Sequence, residues 1–363
     1  MKKLKVGIVG CGGIGTQKHM PSLALIEEVE MVGFCDIIVE KAEKAKNAFG
    51  TKDAKVYKDY KDMLKDTSID VIHVCTPNRS HSFITVDALE AGKHVMCEKP
   101  MAISSIEAQK MVDAAKHTGR KLTVGYQNRY RGDSMYLKAE SEKGTLGEIY
   151  YAKAHAIRRR AVPTWGVFLN AYEQGGGPLI DIGTHALDLT LWTMNNYKPK
   201  MVVGSIFHKL GKQRNTANAW GDWKIDELTV EDSAFGYVVM ENGATIVLES
   251  SWALNSLDVR EAQTTLCGTL AGADMQDGLR INFVKNNRQV VEKPSFEAGG
   301  VAFFAGGSSK PDHIEARMWI DAILHDKEPL VKPEEAFVVT QILEAIYESA
   351  KTGKPVFLGK KES

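Results

Sequence analysis

The first fifteen residues restrict the possible fold more than any other stretch. Lys5-Val6-Gly7-Ile8-Val9 is a short apolar strand that runs at once into Gly10-Cys11-Gly12-Gly13-Ile14-Gly15. Gly10, Gly12 and Gly15 fit G-x-G-x-x-G, and Gly13 and Ile14 complete the turn. In a strand–turn–helix unit the first glycine permits the tight turn and the second lets backbone approach a pyrophosphate. The third lets the helix pack closely on the strand, with its N–H groups toward the phosphates. A second apolar run, Met31-Val32-Gly33-Phe34-Cys35, ends at Asp36. That is about twenty residues on, where an acid holds the ribose hydroxyls of a dinucleotide. The context predicts a dinucleotide site rather than a plain structural turn beside a surface acid.

Further apolar runs follow at Val71-Ile72-His73-Val74-Cys75, His94-Val95-Met96-Cys97 and Leu122-Thr123-Val124. Between the runs lie helical stretches: one to about residue 28, interrupted at Pro21, then 38–49, 60–65, 80–89 and 105–117, the last stopped by Gly119. Short, wholly apolar strands alternating with helices predict a parallel sheet covered on both faces. Residues 1–124 are therefore expected to form a doubly wound α/β domain of Rossmann type.

From Gly125 the pattern changes. Longer strands are expected at 149–157, 201–207, 233–240, 244–252 and 261–267, with a hairpin turn at Glu241-Asn242-Gly243. Gly175-Gly176-Gly177-Pro178 opens a helix to Met194, and helices near 311–325 and 333–351 close the chain. Residues 125–363 are expected to form an α+β domain on a large, open, mostly antiparallel sheet. Ligands of open α/β sheets bind beyond the carboxyl ends of the strands, so the second domain is expected to roof that edge and leave the active site in a cleft.

Composition narrows the function class. The 363 residues carry 46 basic and 46 acidic side chains with no charged block, which argues against a nucleic-acid or membrane-surface partner. Met1-Lys2-Lys3 has the charge of a leader, but glycines break the apolar run behind it, so a first strand is expected instead. No apolar run approaches a bilayer span. The five cysteines lack C-x-x-C spacing, so neither a disulfide framework nor a thiolate metal site is expected. The expectation is a cytoplasmic protein.

Several residues carry possible chemistry. Asp36 would bond the ribose diol of NAD and repel the 2′-phosphate of NADP, and Ile37, Ile38 and Val39 offer no compensating cation, so NAD is favoured. Thr76-Pro77-Asn78 and Glu98-Lys99-Pro100 sit at carboxyl ends of expected strands, the cofactor edge of such a sheet. His81 follows the first of these turns and is either a cofactor-side residue or part of a helix start. On the helix after the triple glycine, Asp181 and His185 are four apart and share a face, with Asp188 one turn on. Leu179, Ile182, Ala186 and Leu189 would dock that helix. An Asp capping group with a structural His is one alternative. A metal site is another, although two carboxylates and one His lack a fourth ligand, and no metal is expected. Trp165, after Arg158-Arg159-Arg160, either stacks on a sugar face or packs in the domain interface.

Taken in order, Gly10-x-Gly12-Gly13-x-Gly15, Asp36, Glu98-Lys99-Pro100 and the Asp181-x-x-x-His185 helix resemble the glucose–fructose oxidoreductase/inositol dehydrogenase (Gfo/Idh/MocA) family over essentially the whole chain. The resemblance implies a Rossmann domain followed by an α/β domain whose open sheet often forms oligomers, here a homodimer or homotetramer. It implies NAD-dependent oxidation of a secondary alcohol on a sugar, glycoside or cyclitol, or the reverse reduction. It gives Lys99 the reacting hydroxyl and nicotinamide ribose, Asp181 the orientation of substrate, and His185 the general acid/base role. Lys99 as proton acceptor is the alternative. It also implies Gly10, Gly12, Gly13, Ile14, Gly15, Asp36, Thr76, Pro77, Asn78, His81, Glu98 and Lys99 around the cofactor. Tyr126, Asn128, Arg129 and Trp165 are then expected to line the substrate pocket. Two rival functions are an NAD-dependent glycosidase with transient oxidation and a non-catalytic dinucleotide-binding regulator.

Overall fold

Every apolar run of the N-terminal half forms a strand, because a β-branched run flanked by glycine or proline can bury both faces in a parallel sheet. The structure, a computed structural model, describes residues 3–214, 217–296 and 310–359. Met1 and Lys2, part of the charged stretch before the first strand, lie outside the described residues. The chain divides into two compact units, Met1–Tyr130 with Ala302–Phe337, and Arg131–Val301 with Val338–Ser363.

In chain order the first stretch contains β1 (Leu4–Val9), α1 (Met20–Leu23), β2 (Val29–Cys35), α2 (Val39–Phe49), β3 (Lys55–Tyr57), α3 (Tyr60–Leu64), β4 (Val71–Val74), α4 (His81–Glu90), β5 (His94–Cys97), α5 (Ser105–Thr118) and β6 (Leu122–Val124). The six strands are parallel in the order β3-β2-β1-β4-β5-β6. The order reverses at β1, so the glycine turn that follows it lies at the switch point of the sheet, where ligands of such sheets bind. The strand β3 was not expected; at three residues it is too short to show a period. The first helix also differs from expectation. It ends by Ala24 rather than near residue 28, and Pro21 sits in its first turn, where a missing N–H costs nothing, instead of breaking it.

The second stretch contains α6 (Gly132–Glu142), β7 (Ile149–Ile157), α7 (Ala171–Gln174), α8 (Thr184–Met194), β8 (Pro199–Phe207), β9 (Ser233–Met240), β10 (Thr245–Ser251), β11 (Arg260–Gly268), β12 (Ala271–Asp274), β13 (Arg280–Lys285) and β14 (Arg288–Glu292). The chain ends with α9 (Pro311–Leu324), α10 (Pro333–Thr352) and β15 (Val356–Phe357). Among the described residues nine strands form one sheet in the order β14-β13-β12-β11-β7-β10-β9-β8-β15, in which only the β7–β10 pair is parallel. Alternation assigns its faces. Ala152, Ala154, Ala156, Val202, Ala234, Val238, Ile246, Leu248 and Leu266 are buried. The small alanines of β7 let α8 lie close, and at Gly204 a Cβ would stand 2.6 Å from the Ile346 side chain of α10. The opposite face carries the exposed Val203 and Tyr237, cross-strand neighbours in register.

The helix α9 follows the second stretch in sequence yet packs in the first unit. Its Ala316, Trp319 and Ile320 join the core built by Val6, Ile8, Phe34 and Val71. Arg317 closes the contact with bonds of 2.8 and 3.0 Å to the Glu28 carboxylate. A helix pattern shows which face is apolar but not which sheet receives it.

Candidate functional site

In the first unit the glycine turn has the shape its pattern implies. Gly10 adopts φ +95°, and a Cβ there would stand 2.5 Å from the Cys75 carbonyl oxygen. At Gly15 a Cβ would meet the Gly10 oxygen at 2.6 Å, so this glycine lets the helix close on the strand. Among the described residues nothing lies within 4 Å of the Cβ positions of Gly12 and Gly13, and Ile14 beside them is exposed. This open cradle fits a diphosphate, facing first-turn amides that have no preceding turn to bond.

Asp36, at the end of β2, is fixed on both oxygens: Cys11 N–H donates to Oδ2 and Ile38 N–H to Oδ1, each at 2.9 Å. The strand end and the glycine turn thus hold one carboxylate beside the cradle. On the same edge, Thr76 Oγ1 accepts from Ser80, Pro77 is exposed and Asn78 is buried. His81 is also buried. Its Nδ1 lies 2.7 Å from the Pro100 carbonyl and its Nε2 2.8 Å from that of Thr76. Burial lowers its pKa against the pull of those two carbonyls. His81 therefore sits between two turns, each ring nitrogen facing a backbone carbonyl.

Glu98 is likewise turned inward. Its Oε1 receives Lys18 Nζ at 2.7 Å and lies 2.9 Å from His19 Nε2, while its Oε2 accepts the Lys99 N–H at 3.0 Å. Lys18 also reaches Glu315 of α9 at 2.8 Å, and His19 Nδ1 stands 3.0 Å from His73 Nδ1. All five side chains are buried. Burial alone would raise the Glu98 pKa, but Lys18 and His19 bring it well below the usual range. Glu315, sharing the same lysine, is pushed up by burial instead. The two carboxyls differ because Glu98 has three donors, whereas Glu315 Oε1 has no partner among the described residues. The Glu98 carboxylate thus anchors the backbone of the half-buried Lys99, joined to Pro100 by a cis peptide bond, and is itself spent internally. Sequence reasoning missed Lys18, His19 and Glu315, since a lysine in a helical run reads as solvated.

Tyr126 and Arg129 do not form an open pocket. Both are fully buried, and Arg129 Nη1 donates to Glu335 at 2.5 Å and to the Leu330 carbonyl at 3.2 Å. Asn128, in the short turn Gln127–Tyr130, is half-buried.

In the second unit the triple glycine leads into a wider, π-type turn, Leu179–Gly183, before α8 begins. Asp181 lies in the wide turn and His185 in α8, so the regular helical spacing expected between them is interrupted at their junction. Glu231 anchors the turn, accepting from Gly177 N–H at 2.9 Å, Leu179 N–H at 3.2 Å and Tyr347 Oη at 2.8 Å. Asp181 accepts from Trp252 Nε1 at 3.0 Å and faces Arg158 Nη1 at 3.8 Å. His185 and Asp188 are buried, as is every residue of α8, so the apolar face expected to dock that helix is only part of what docks it. Trp165 is 52% exposed. Among the described residues no three His, Cys, Asp or Glu side chains gather as metal ligands.

Comparison with known proteins matches both stretches of the chain to the two domains of one family. Residues 4–126 match the family model for an oxidoreductase family's NAD-binding Rossmann fold (GFO_IDH_MocA), and residues 138–358 match the model for its C-terminal alpha/beta domain. A D-glucoside 3-dehydrogenase of Escherichia coli (strain K12) is 34% identical over 98% of this chain and 97% of its own. An inositol 2-dehydrogenase of Salmonella typhimurium (strain LT2) is 32% identical over 54% of this chain and 56% of its own. A levoglucosan dehydrogenase solved with NADH and levoglucosan shares the fold, with TM-score 0.82, 21% identity and coverage of 99% of this chain and 100% of that one.

Proposed function

The chain belongs to the Gfo/Idh/MocA oxidoreductase family, and on that premise we propose that it moves a hydride between NAD and a secondary alcohol or ketone of a sugar, glycoside or cyclitol. The observation that carries the reading is the glycine turn. Its two central positions are open and Asp36 is fixed beside them, a shape suited to a dinucleotide diphosphate and an unphosphorylated ribose. NAD supplies the hydride acceptor, or in reverse the donor, when bound.

The residues divide the remaining work. Gly12, Gly13 and Ile14 amides hold the diphosphate, and Asp36 holds the adenosine ribose. The Lys99 ammonium, on a backbone tied to Glu98, stabilises the oxygen as it becomes an alkoxide. His185 takes the hydroxyl proton during oxidation and returns it during reduction. Asp181, oriented by Trp252 and Arg158, binds a substrate hydroxyl and keeps it in line with that proton transfer. The test is NADH formation against a panel of glycosides, aldoses and inositols. Lys99→Ala and His185→Ala should each lower kcat by about 10²–10⁴-fold while NAD still binds, read by calorimetry. Full activity in either variant refutes the assignment. Glycoside cleavage without net NADH makes the chain a glycosidase, and NAD binding without any turnover makes it a regulator.

The five cysteines are free thiols, which supports a reducing compartment such as the cytoplasm. The exposed Val203 and Tyr237 on one face of the second sheet support a homo-oligomer through that face, which light scattering of the purified chain checks.

A further inference from the structure

Two tryptophans of the second unit stand in water, Trp165 at 52% and Trp220 at 42% exposure. They come from different loops, and both loops are irregular. A single exposed aromatic ring is ordinary, but two large rings on stapled loops are not.

The staples are specific. Asn218 Oδ1 accepts from Val162 N–H at 2.8 Å, and its Nδ2 donates to the Val162 and Gly221 carbonyls at 3.0 and 2.8 Å. Ala219 N–H donates to the Arg160 carbonyl, and Thr164 Oγ1 donates to the Trp220 carbonyl, both at 3.0 Å. Thr229 closes the far end, donating its N–H to Leu169 and accepting Ala171 N–H on Oγ1. The rings then meet edge to face, with centroids 4.9 Å apart and planes at 77°. Ordering two loops costs conformational entropy, and here it leaves aromatic surface in solvent.

The platform continues to Asp181. Arg158 Cζ lies 5.2 Å from the Trp220 ring centroid, and Nη1 of the same guanidinium lies 3.8 Å from Asp181 Oδ2. Glu261 holds that guanidinium by two bonds of 2.5 and 2.6 Å. Beyond Trp165 opens a cavity of about 400 Å³, lined also by Val167, Leu169, Asn170 and Thr229. Asp181, Arg158, Trp220 and Trp165 therefore form one continuous line, polar at Asp181 and aromatic at its far end. Because Arg158 is already matched by Glu261 and Asp181, the line supplies from this residue no unmatched charge for a phosphate.

We propose that Trp220 and Trp165 form a subsite for the second ring of a glycoside, either a sugar or an aryl aglycone, while Asp181 orients the ring that is oxidised. This rests on the function proposed above and narrows its substrate to two-ring glycosides. Aromatic faces suit such a ring because they bury the C–H face of a pyranose or stack an aryl group, leaving hydroxyls to water.

The experiment compares kcat/KM with NAD for phenyl glucoside and a glucosyl-glucose disaccharide against methyl glucoside, and measures binding of the same probes by calorimetry. The wild-type protein should prefer the two-ring probes by about tenfold or more, and Trp220→Ala should collapse that preference through KM. Trp220→Phe, which keeps a ring, should restore part of it and guards against misfolding of the alanine variant. Equal handling of one-ring and two-ring probes, or a preference that survives in Trp220→Ala, overturns the subsite. Absence of NADH formation with every probe refutes the dehydrogenase reading alone. In that case the subsite stands if two-ring binding is lost in Trp220→Ala, and falls if it is not.

Discussion

Replacing Lys18 with Met tests the buried charge cluster behind Lys99. Lys18 Nζ holds Glu98 at 2.7 Å and Glu315 at 2.8 Å, and the side chains are 7%, 6% and 2% exposed. Methionine keeps the length of the side chain and removes the only cation Glu315 has among the described ion pairs. Glu98 retains His19 and the Lys99 amide, but Glu315 loses its partner on Oε2 and, among the described residues, already lacks one on Oε1. Breaking a buried pair from one side costs about 3–5 kcal/mol. Amide exchange in β1 and α9, where the two ends of the first unit pack together, should accelerate by about 10²–10⁴-fold in the NAD-free protein.

The sign with pH follows from the two carboxyls. The low pKa of Glu98 contributes stability above the ordinary carboxylate range, which is lost as pH falls through its folded value. The raised pKa of Glu315 acts oppositely: its cost is absent at acid pH and appears as pH rises. Losing Lys18 weakens the first effect and enlarges the second, so the deficit of Lys18→Met should be largest near neutrality and narrow toward pH 4. Adding Glu315→Gln should recover part of the loss, because a neutral amide needs no cation. A Lys18→Met protein within about 1 kcal/mol of wild type would show that the cluster is not coupled in this way.

Two further outcomes follow from the first unit. Replacing Asp36 with Ser and Ile37 with Arg removes the fixed carboxylate and adds a cation. The kcat/KM ratio of NADP over NAD should rise by at least about a hundredfold in steady-state assays, and an unchanged ratio would refute the role of Asp36. His94 is pushed down to about 4 by burial and by Arg120 and Lys121, and its Nδ1 accepts the Lys121 N–H, which a protonated ring cannot do. Between pH 6.5 and 4 the unfolded chain binds a proton that the folded chain refuses, so the urea midpoint should fall with pH there, and less steeply in His94→Asn.

The legible parts of this protein were those in which local chemistry has one solution. A strand ending in Gly10-x-Gly12-Gly13-x-Gly15 can turn in few ways, since Gly10 needs positive φ and Gly15 sits against the backbone of Gly10. Asp36 at a strand end, the apolar strands and the Asn242-Gly243 hairpin were readable for the same reason. Other features depend on partners far away in the chain. Lys18 and Glu98 are 80 residues apart, and Arg129 and Glu335 are 206 apart. No local period shows that a lysine will be buried between two glutamates or that Arg129 will be spent inside the fold. The same holds for α9, whose apolar face is plain in the sequence while its destination is set by which sheet has a hydrophobic surface left to cover. Long-range burial decides these cases because a charged side chain leaves water at tolerable cost only where an opposite charge or hydrogen-bond acceptors and donors already wait for it.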